Sequence, residues 1–238
     1  MNTTISIDTT VGEIVRAVPA RSRIFENLGI DYCCGGKKPL AEVCQAKGLD
    51  PATVVAMLAA LDSASDTAAV NADAMTLSEL CDHIEGVHHR YLREELPRLD
   101  FMTRKVAAVH GQDEKRLLEV RKIFEVFQAG MLSHTKEEDE TVFPAIRELE
   151  STRGNKTEVA AKLATMLSKL ESEHDNAGAA LERFKELTDN YTTPSWGCNT
   201  FRALYDGLAQ LEKHTHQHVH QENNVLFPKA LTKATAPN

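Results

Sequence analysis

Apolar side chains recur every three or four residues over long stretches of this chain, which is the period of one face of an α-helix. No stretch shows the strict apolar and polar alternation of a half-buried strand. Residues with turn preference interrupt the helical pattern near residue 111, at 151–155 and at 189–197. The pattern therefore predicts four long helices, over residues 76–110, 114–150, 156–189 and 199–233.

A run of small and polar residues at 62–73 separates these helices from a shorter helical pattern at the N-terminus. We expect a small helical domain over residues 1–62, a linker over 63–75, and a larger unit over 76–238. Four long helices joined by short loops pack as an antiparallel bundle. The predicted fold class is all-α, an antiparallel four-helix bundle preceded by a small helical domain.

One motif occurs twice inside the predicted bundle. His134 and Glu138 belong to the first copy, His218 and Glu222 to the second, and both copies read H-x3-E-x4-F-P. Residues four apart lie on the same helix face, so each copy directs an imidazole and a carboxylate into one volume. A single pair of this kind is often solvated, but apolar stripes lead into both copies. Buried ionisable groups are paired or bind a metal, and the duplication predicts a dinuclear metal site.

The other two helices are expected to supply one ligand each. The third helix offers His174, which lies on a stripe of leucines. The first offers His83, His88 and His89, and spacing leaves the choice between His88 and His89 open. Four histidines and two bridging carboxylates in a bundle favour iron, as a pair of ions with an oxo or hydroxo bridge. The remaining histidines of the last helix are interpreted as solvated or as neighbours of the ligands: His214, His216 and His220.

The N-terminal unit carries adjacent cysteines, Cys33 and Cys34, followed by two glycines that indicate a loop. Neighbouring cysteines form a strained disulfide with each other, so reactive thiols or an intermolecular bridge are favoured. The alternative is a pair of small buried apolar side chains. Cys44, Cys81 and Cys198 show no metal-ligand spacing and are interpreted as structural.

Composition excludes several classes of protein. The formal net charge is −8 and no basic stripe is present, which argues against a nucleic-acid partner. No run of about eighteen apolar residues indicates a membrane span, and the N-terminus lacks the pattern of a signal peptide. An odd number of cysteines does not suit a disulfide framework. These observations predict a cytoplasmic protein without a membrane partner.

Three segments resemble the Repair of Iron Centers family, which consists of hemerythrin-like di-iron proteins associated with restoring iron–sulfur clusters after nitrosative or oxidative damage. They are D-Y-C-C-G-G at 31–36, E-S-E-H-D at 171–175 and E-N-N-V-L-F-P at 222–228. The resemblance spans nearly the whole chain. It implies a hemerythrin-like bundle, damaged iron–sulfur proteins as partners, nitric oxide or dioxygen as small ligands, and a homodimer.

The resemblance also implies a ligand set. The histidine that stands before the Leu-Pro of the first helix corresponds to His89, with His88 as the fallback. The full set implied, with both glutamates bridging, is His89, His134, Glu138, His174, His218 and Glu222. Oxygen-carrying hemerythrins have a further histidine four positions after the first one of the third helix. Gly178 stands there in this chain, which argues against reversible oxygen carriage as the main role.

Three functions follow as hypotheses. The first is repair of damaged iron–sulfur clusters, with nitric oxide binding, nitric oxide reduction or iron donation at the di-iron site and with Cys33 and Cys34 as redox or transfer thiols. The second is a sensor or store that binds oxygen or nitric oxide without turnover. The third is a ferritin-like oxidase, which is disfavoured because the predicted ligand set is rich in histidine and contains no Glu-x-x-His pair of the kind those bundles use.

Overall fold

The computed structural model describes residues 5–63, 70–152 and 157–235. Within these ranges the chain is helical and contains no strand, and the one β-type contact is an isolated bridge between Thr10 and Pro39. The predicted all-α fold class is confirmed. None of the helices in the described ranges combines the length and apolar character that crossing a membrane requires.

The N-terminal domain consists of four short helices around its own apolar core. They are α1 (Val11–Ala17), α2 (Ser22–Leu28), α3 (Leu40–Lys47) and α4 (Pro51–Ser63). Thr10 and Glu13 form a capping box that begins α1. Phe25, Leu40 and Leu58 are fully buried between the helices. The loop from α2 to α3 carries Cys33 and a short 3-10 turn, Cys34–Lys37.

The bundle contains four long helices, three of which are divided by a π-turn. The segments are α5 (Leu77–Ile84) and α6 (Arg90–His110) in the first, α7 (Arg116–Glu137) and α8 (Phe143–Ser151) in the second, α9 (Thr157–Leu187) in the third, and α10 (Asn199–Gln221) and α11 (Phe227–Thr235) in the fourth. These bounds differ from the predicted spans by at most two residues. Loop residues 153–156 and linker residues 64–69 lie outside the described ranges.

The π-turns are Glu85–His89, Glu138–Val142 and Glu222–Leu226. In the second bundle helix, Phe143 donates its backbone N–H to the carbonyl of Glu138, five residues earlier. Pro144 is the second residue of the helix that resumes, and Pro228 holds the same place in the fourth bundle helix. The H-x3-E-x4-F-P motif suggests that each proline kinks or ends its helix. Instead, the irregularity precedes the proline, and the helix continues beyond it.

The apolar core of the bundle is divided into two clusters along its length. One cluster contains Leu92, Phe124, Phe184 and residues packed on them, and the other contains Ile84, Phe143, Leu170 and their neighbours. The buried histidines lie in the layer between the two clusters. Each cluster excludes water from one side of that layer.

The N-terminal domain is docked on the fourth bundle helix. Asn224 donates from Nδ2 to the carbonyl of Cys33 at 3.0 Å. A Cβ atom on Gly12 or Gly36 would lie 2.4 or 2.5 Å from Asn224 Oδ1, so both positions require glycine for this approach. Arg16 pairs with Asp73 at 2.6 Å across the same boundary. The cysteine loop is therefore held against the bundle.

Candidate metal centre

Six buried side chains from all four bundle helices converge in the layer between the two apolar clusters. They form two groups whose ligand atoms lie within 4.8 Å of one another: His89, Glu138, His218 and Glu222 in the first, and His134, Glu138, His174 and Glu222 in the second. None of the six is more than 4% exposed. The structure thus brings together every residue of the predicted ligand set, and the two groups share both glutamates.

Glu138 lies between the two groups and offers one carboxylate oxygen to each. Its Oε2 is 3.3 Å from His89 Nε2, and its Oε1 is 3.2 Å from His134 Nε2. Neither oxygen has a hydrogen-bond partner among the described residues. A buried carboxylate without a donor is costly, and a cation between the groups would remove that cost.

Glu222 repeats this arrangement on the opposite helix. Its Oε1 is 3.0 Å from His218 Nε2, and its Oε2 is 3.1 Å from His174 Nε2. Each carboxylate therefore faces both groups with a different oxygen. This is the arrangement needed for a carboxylate that bridges two metal ions.

The imidazole nitrogens are also spaced as ligands of one ion. His89 Nε2 is 3.1 Å from His218 Nε2, and His134 Nε2 is 2.9 Å from His174 Nε2. Two nitrogens that bind one ion at about 2.1 Å and at a right angle lie about 3.0 Å apart. The residues present therefore fit a metal ion with octahedral ligand angles in each group.

Three of the four imidazoles are oriented through their other nitrogen. His89 Nδ1 donates to Asp139 at 2.7 Å, and His134 Nδ1 donates to Glu173 at 2.7 Å. Carboxylates can only accept, so these Nδ1 atoms carry a proton and the Nε2 atoms face the centre, where each can bind a metal ion after losing any proton of its own. His174 Nδ1 lies 2.9 Å from Asn223 Oδ1 in the same relation. Such contacts fix the ring orientation of metal-binding histidines.

Sequence reasoning missed these three acceptors: Asp139, Glu173 and Asn223. Each stands directly beside a predicted ligand in the sequence, yet supports a histidine on the preceding helix. Arg93 pairs with Asp139 at 2.8 Å, and Lys169 lies 3.5 Å from Glu173. Polar residues next to each ligand were the available signal, but only the packing of the helices shows which histidine each one meets.

His88 and His89 occupy different environments. His89 is part of the first group, whereas neither ring nitrogen of His88 takes part in either group. His88 is 3% exposed, and its ring is stacked on His218 with centroids 5.5 Å apart. Within the part of the chain that the structure describes, both of its ring nitrogens are without a hydrogen-bond partner. His218 Nδ1 also has no partner. The spacing of the sequence left the choice between these two residues open. The π-turn ends at His89, and His89 lies in the layer of ligands.

Burial and charge set the protonation of the centre without metal. Burial alone would lower the pKa of His134, but the Glu138 carboxylate outweighs it and raises that pKa to about 10. Burial and the Glu222 carboxylate would raise the pKa of Glu138, but the adjacent imidazoles keep it below its ordinary value. Burial lowers the pKa of His218 well below its usual range. Both glutamates are therefore charged at neutral pH, as metal binding requires.

The remaining histidines of the fourth bundle helix were interpreted as solvated or as neighbours of the ligands, and for His220 this interpretation is wrong. His220 is 6% exposed, and its Nδ1 donates to the carbonyl of Tyr32 at 3.3 Å. It is neither solvated nor beside the ligands, because the N-terminal domain covers it. Half-buried His214 stacks on Tyr91, with ring centroids 3.7 Å apart, and His216 packs edge-on against Tyr32.

The cysteine loop touches the metal layer through the backbone of the third bundle helix. Cys34 Sγ lies 3.4 Å from the carbonyl oxygen of His174. A Cβ atom on Gly178 would lie 3.6 Å from the same sulfur, so the loop occupies the space that a larger side chain at that position would need. Hydrogen bonding with Cys34, burial and the Asp31 carboxylate raise the pKa of the Cys33 thiol well above its ordinary value.

The other cysteines differ among themselves. All five are free, and Cys44 and Cys81 are fully buried in apolar surroundings, as their structural interpretation requires. Cys198 is exposed, with its Sγ 3.5 Å from His110 Nε2. The hydrogen bond with His110 lowers the pKa of the Cys198 thiol to about 7. The structural interpretation of Cys198 was therefore wrong, because this thiol packs in no core.

A groove beside the second group connects it to the surface. Its volume is about 730 Å³, and its walls include Phe127, Met131, His134 and Ala177. Most of this lining is apolar. The charged residues Lys122 and Glu173 also line the groove, and the Glu173 carboxylate binds Nδ1 of His134. A small uncharged molecule can therefore reach the outer edge of the His134 ring through a largely apolar passage.

A helical bundle whose core holds converging histidines and glutamates defines the class of hemerythrin-type cation-binding proteins, and the hemerythrin HHE cation binding domain family matches residues 82–230. ScdA_N, a domain of unknown function (DUF542), matches residues 7–62. The chain is 35% identical to the iron-sulfur cluster repair protein ScdA of Staphylococcus haemolyticus, over 94% of this chain and 99% of that protein. It is 34% identical to the iron-sulfur cluster repair protein YtfE of Enterobacter sp., over 94% of this chain and 97% of that protein. The chain belongs to the ScdA and YtfE family, which confirms the family resemblance of the sequence.

Proposed function

We propose that this protein repairs damaged iron–sulfur clusters and that it does so with two iron ions in the bundle. The observation that carries the proposal is the pair of overlapping groups that share Glu138 and Glu222. Two relatives that align with almost the whole chain are named iron-sulfur cluster repair proteins. One ion would be held by His89 and His218 and the other by His134 and His174, with both carboxylates bridging. Iron suits this mixed imidazole and carboxylate set.

The protein side chains bind, orient and shield the ions. Asp139, Glu173 and Asn223 hold three imidazoles in place, and the two apolar clusters keep bulk water from the layer. The six side chains offer fewer donor atoms than two six-coordinate ions need, so positions remain for an oxo or hydroxo bridge and a small ligand. When bound, the irons would supply redox chemistry and an open position to that ligand.

Nitric oxide or dioxygen is the small ligand we propose, and iron donation to a damaged cluster is the other use of the same site. Both gases are small and weakly polar, and the apolar groove at His134 suits them. Cys33 and Cys34 are proposed as redox or transfer thiols, because their loop lies against the backbone of His174. A simple sensor or store would have no use for such a pair of thiols, which is why repair is favoured over binding without turnover.

The first experiment measures metal content and repair together. Protein from iron-replete cells should contain about two irons per chain and should restore the activity of a damaged iron–sulfur enzyme. Glu138→Ala combined with Glu222→Ala should abolish both. Glu140→Ala is the matched control, since Glu140 lies on the same π-turn as Glu138 with its side chain 65% exposed. Zinc alone, or almost no metal, in the parent protein would contradict the proposal.

A second experiment separates repair from simple binding. Changing both Cys33 and Cys34 to Ser should leave the iron content and absorption of the bundle intact while repair falls sharply, because serine cannot replace a thiolate at neutral pH. Repair at the parental rate would show that the bundle alone carries the activity. The expected homodimer stays a prediction, which sedimentation of the iron-loaded protein can check.

A further inference from the structure

A second cluster of possible metal ligands lies on the N-terminal domain, outside the six residues of the bundle. Ligand atoms of Asp31, Cys33 and Cys34 all lie within 4.8 Å of one another. The two sulfurs are 3.9 Å apart, and Cys33 Sγ is 3.1 Å from Asp31 Oδ1. Both cysteines are free. Three potential anionic ligands therefore face one small volume.

The sulfur spacing suits a single ion. Two thiolates that bind one tetrahedral ion at about 2.3 Å are about 3.8 Å apart. In an unconstrained chain, the distance between the sulfurs of adjacent cysteines would vary widely. Here it results from a loop with a defined fold, because the backbone of the loop is fixed on both sides of the thiols.

Hydrogen bonds fix the loop. Asp31 Oδ1 accepts the backbone N–H of Cys33 at 2.9 Å, and Oδ2 accepts that of Gly35 at 2.8 Å. Asn224 of the bundle holds the carbonyl of Cys33 at 3.0 Å. The cluster is thus formed before any ion binds, and little ordering is left for binding to oppose.

The surroundings favour a cation. A solvent groove of about 930 Å³ reaches Asp31 and Cys33, and its walls carry more acidic than basic side chains. The acidic residues are Glu26, Asp31, Glu182, Asp206 and Glu212, against Lys185 and Lys213. A groove with excess negative charge raises the local concentration of cations. Beside the groove, Cys34 Sγ lies 3.4 Å from the carbonyl of His174.

We propose that Asp31, Cys33 and Cys34 form a third metal site, which binds one divalent transition-metal ion that prefers thiolates, such as Fe²⁺ or Zn²⁺. Two sulfurs and one oxygen select such ions over Mg²⁺ or Ca²⁺. Binding releases two thiol protons to solvent and changes no oxidation state. The site lies between an open groove and the helix that carries His174, which suits an ion that exchanges with solvent. It goes beyond the proposed function and does not require the bundle to hold two irons.

Cobalt(II) is the probe, because thiolate ligands give it a near-ultraviolet charge-transfer band that imidazole and carboxylate ligands do not. Iron-loaded parent protein, reduced and kept under anaerobic conditions, should bind one further equivalent of Co²⁺ with this band. Cys33→Ser and Cys34→Ser should each remove the band. Asp31→Asn should raise the dissociation constant at least about tenfold while the thiols remain. Cys198→Ser is the control and should keep the band, since it removes an exposed thiol elsewhere.

A parent protein without the band would overturn the proposal, and so would a band that survives in Cys33→Ser and Cys34→Ser or disappears in Cys198→Ser. The iron absorption of each variant checks that the bundle is intact. If a serine variant misfolds, Asp31→Asn decides, because it keeps both thiols and should still weaken binding of the ion that gives the band. Cobalt in an empty bundle centre gives no thiolate band. Failure of the di-iron proposal is therefore distinguishable from failure of this one.

Discussion

The two halves of the bundle centre share their carboxylates but hold their histidines differently. In the His134/His174 half, both Nδ1 atoms have an acceptor, in Glu173 and Asn223. In the His89/His218 half, the described residues supply an acceptor to His89 alone, and His218 Nδ1 is buried with no partner among them. The Nε2 atom of His218 lies 3.0 Å from Glu222 Oε1, but no acceptor among the described residues orients its Nδ1, and its ring packs against that of His88. One half is therefore fully oriented by hydrogen bonds, and the other half is not.

The acceptors for the Nδ1 atoms come from the helices in a regular order around the bundle. The second bundle helix supplies the acceptor for the first, through Asp139 to His89, and the third supplies it for the second. The fourth bundle helix supplies the acceptor for the third, through Asn223 to His174. By the same order, the first bundle helix would supply an acceptor for Nδ1 of His218 on the fourth. His88 occupies the corresponding place next to His89 in the sequence, but it stacks on His218 instead of accepting from it.

The largest effect is expected from removing a histidine ligand in either half. His89→Ala and His134→Ala each delete one ligand, and because both carboxylates are shared, the remaining ion loses a well-formed bridge as well. Iron content should fall from about two to about one or less per chain, with loss of the oxo-bridged absorption. Metal analysis and the visible spectrum measure this. Unchanged iron in His89→Ala together with lost iron in His88→Ala would show that the two neighbours had been assigned the wrong way round.

A smaller effect is expected from removing an acceptor. Glu173→Gln and Asp139→Asn keep the side-chain volume but weaken the hydrogen bond that orients an imidazole, and such changes lower metal affinity about 10- to 100-fold. Competition with a chelator should show the loss in each variant. Glu171→Gln is the matched control for Glu173, since Glu171 pairs with Lys37 and touches no histidine of the centre. Equal affinity in all three variants would mean that packing alone orients every ring.

The smallest effect is expected at His88. His88→Phe keeps an aromatic ring against His218 and removes two buried nitrogens without partners. Iron content should stay within the error of the parent. The free energy of unfolding should stay equal or rise by about 1 kcal/mol, because an unpaired buried polar group is costly. Chemical denaturation of the metal-free proteins measures it. A loss of iron in this variant would show that His88 supports His218 after all, and the asymmetry between the halves would disappear.

Local periodicity was sufficient to predict the all-α fold and the two His-x3-Glu pairs that the structure brings together. Periodicity did not choose between His88 and His89, and only the family resemblance pointed to His89. The π-turns begin at Glu138 and Glu222, so the four-residue step from each histidine to its glutamate is still α-helical. Periodicity does not predict the π-turns themselves. Because of these turns, Pro144 and Pro228 each stand near the start of a new helical segment, and the helix continues past them. Contacts between distant segments were not predictable either. His220 meets Tyr32 only because the N-terminal domain docks there, and no pattern along the chain encodes that meeting.

Three consecutive residues of one π-turn perform three separate tasks. Glu222 faces both groups of the centre, Asn223 orients His174, and Asn224 fits between Gly12 and Gly36 of the other domain. All three side chains stand on the same backbone turn, so a rotation of that turn moves all three together. Any rotation of the turn that loosens the carboxylate also shifts the amide that holds the cysteine loop. The two domains are thus mechanically coupled through a single turn of helix, and a one-residue deletion within it would uncouple them by rotating all that follows about 100°.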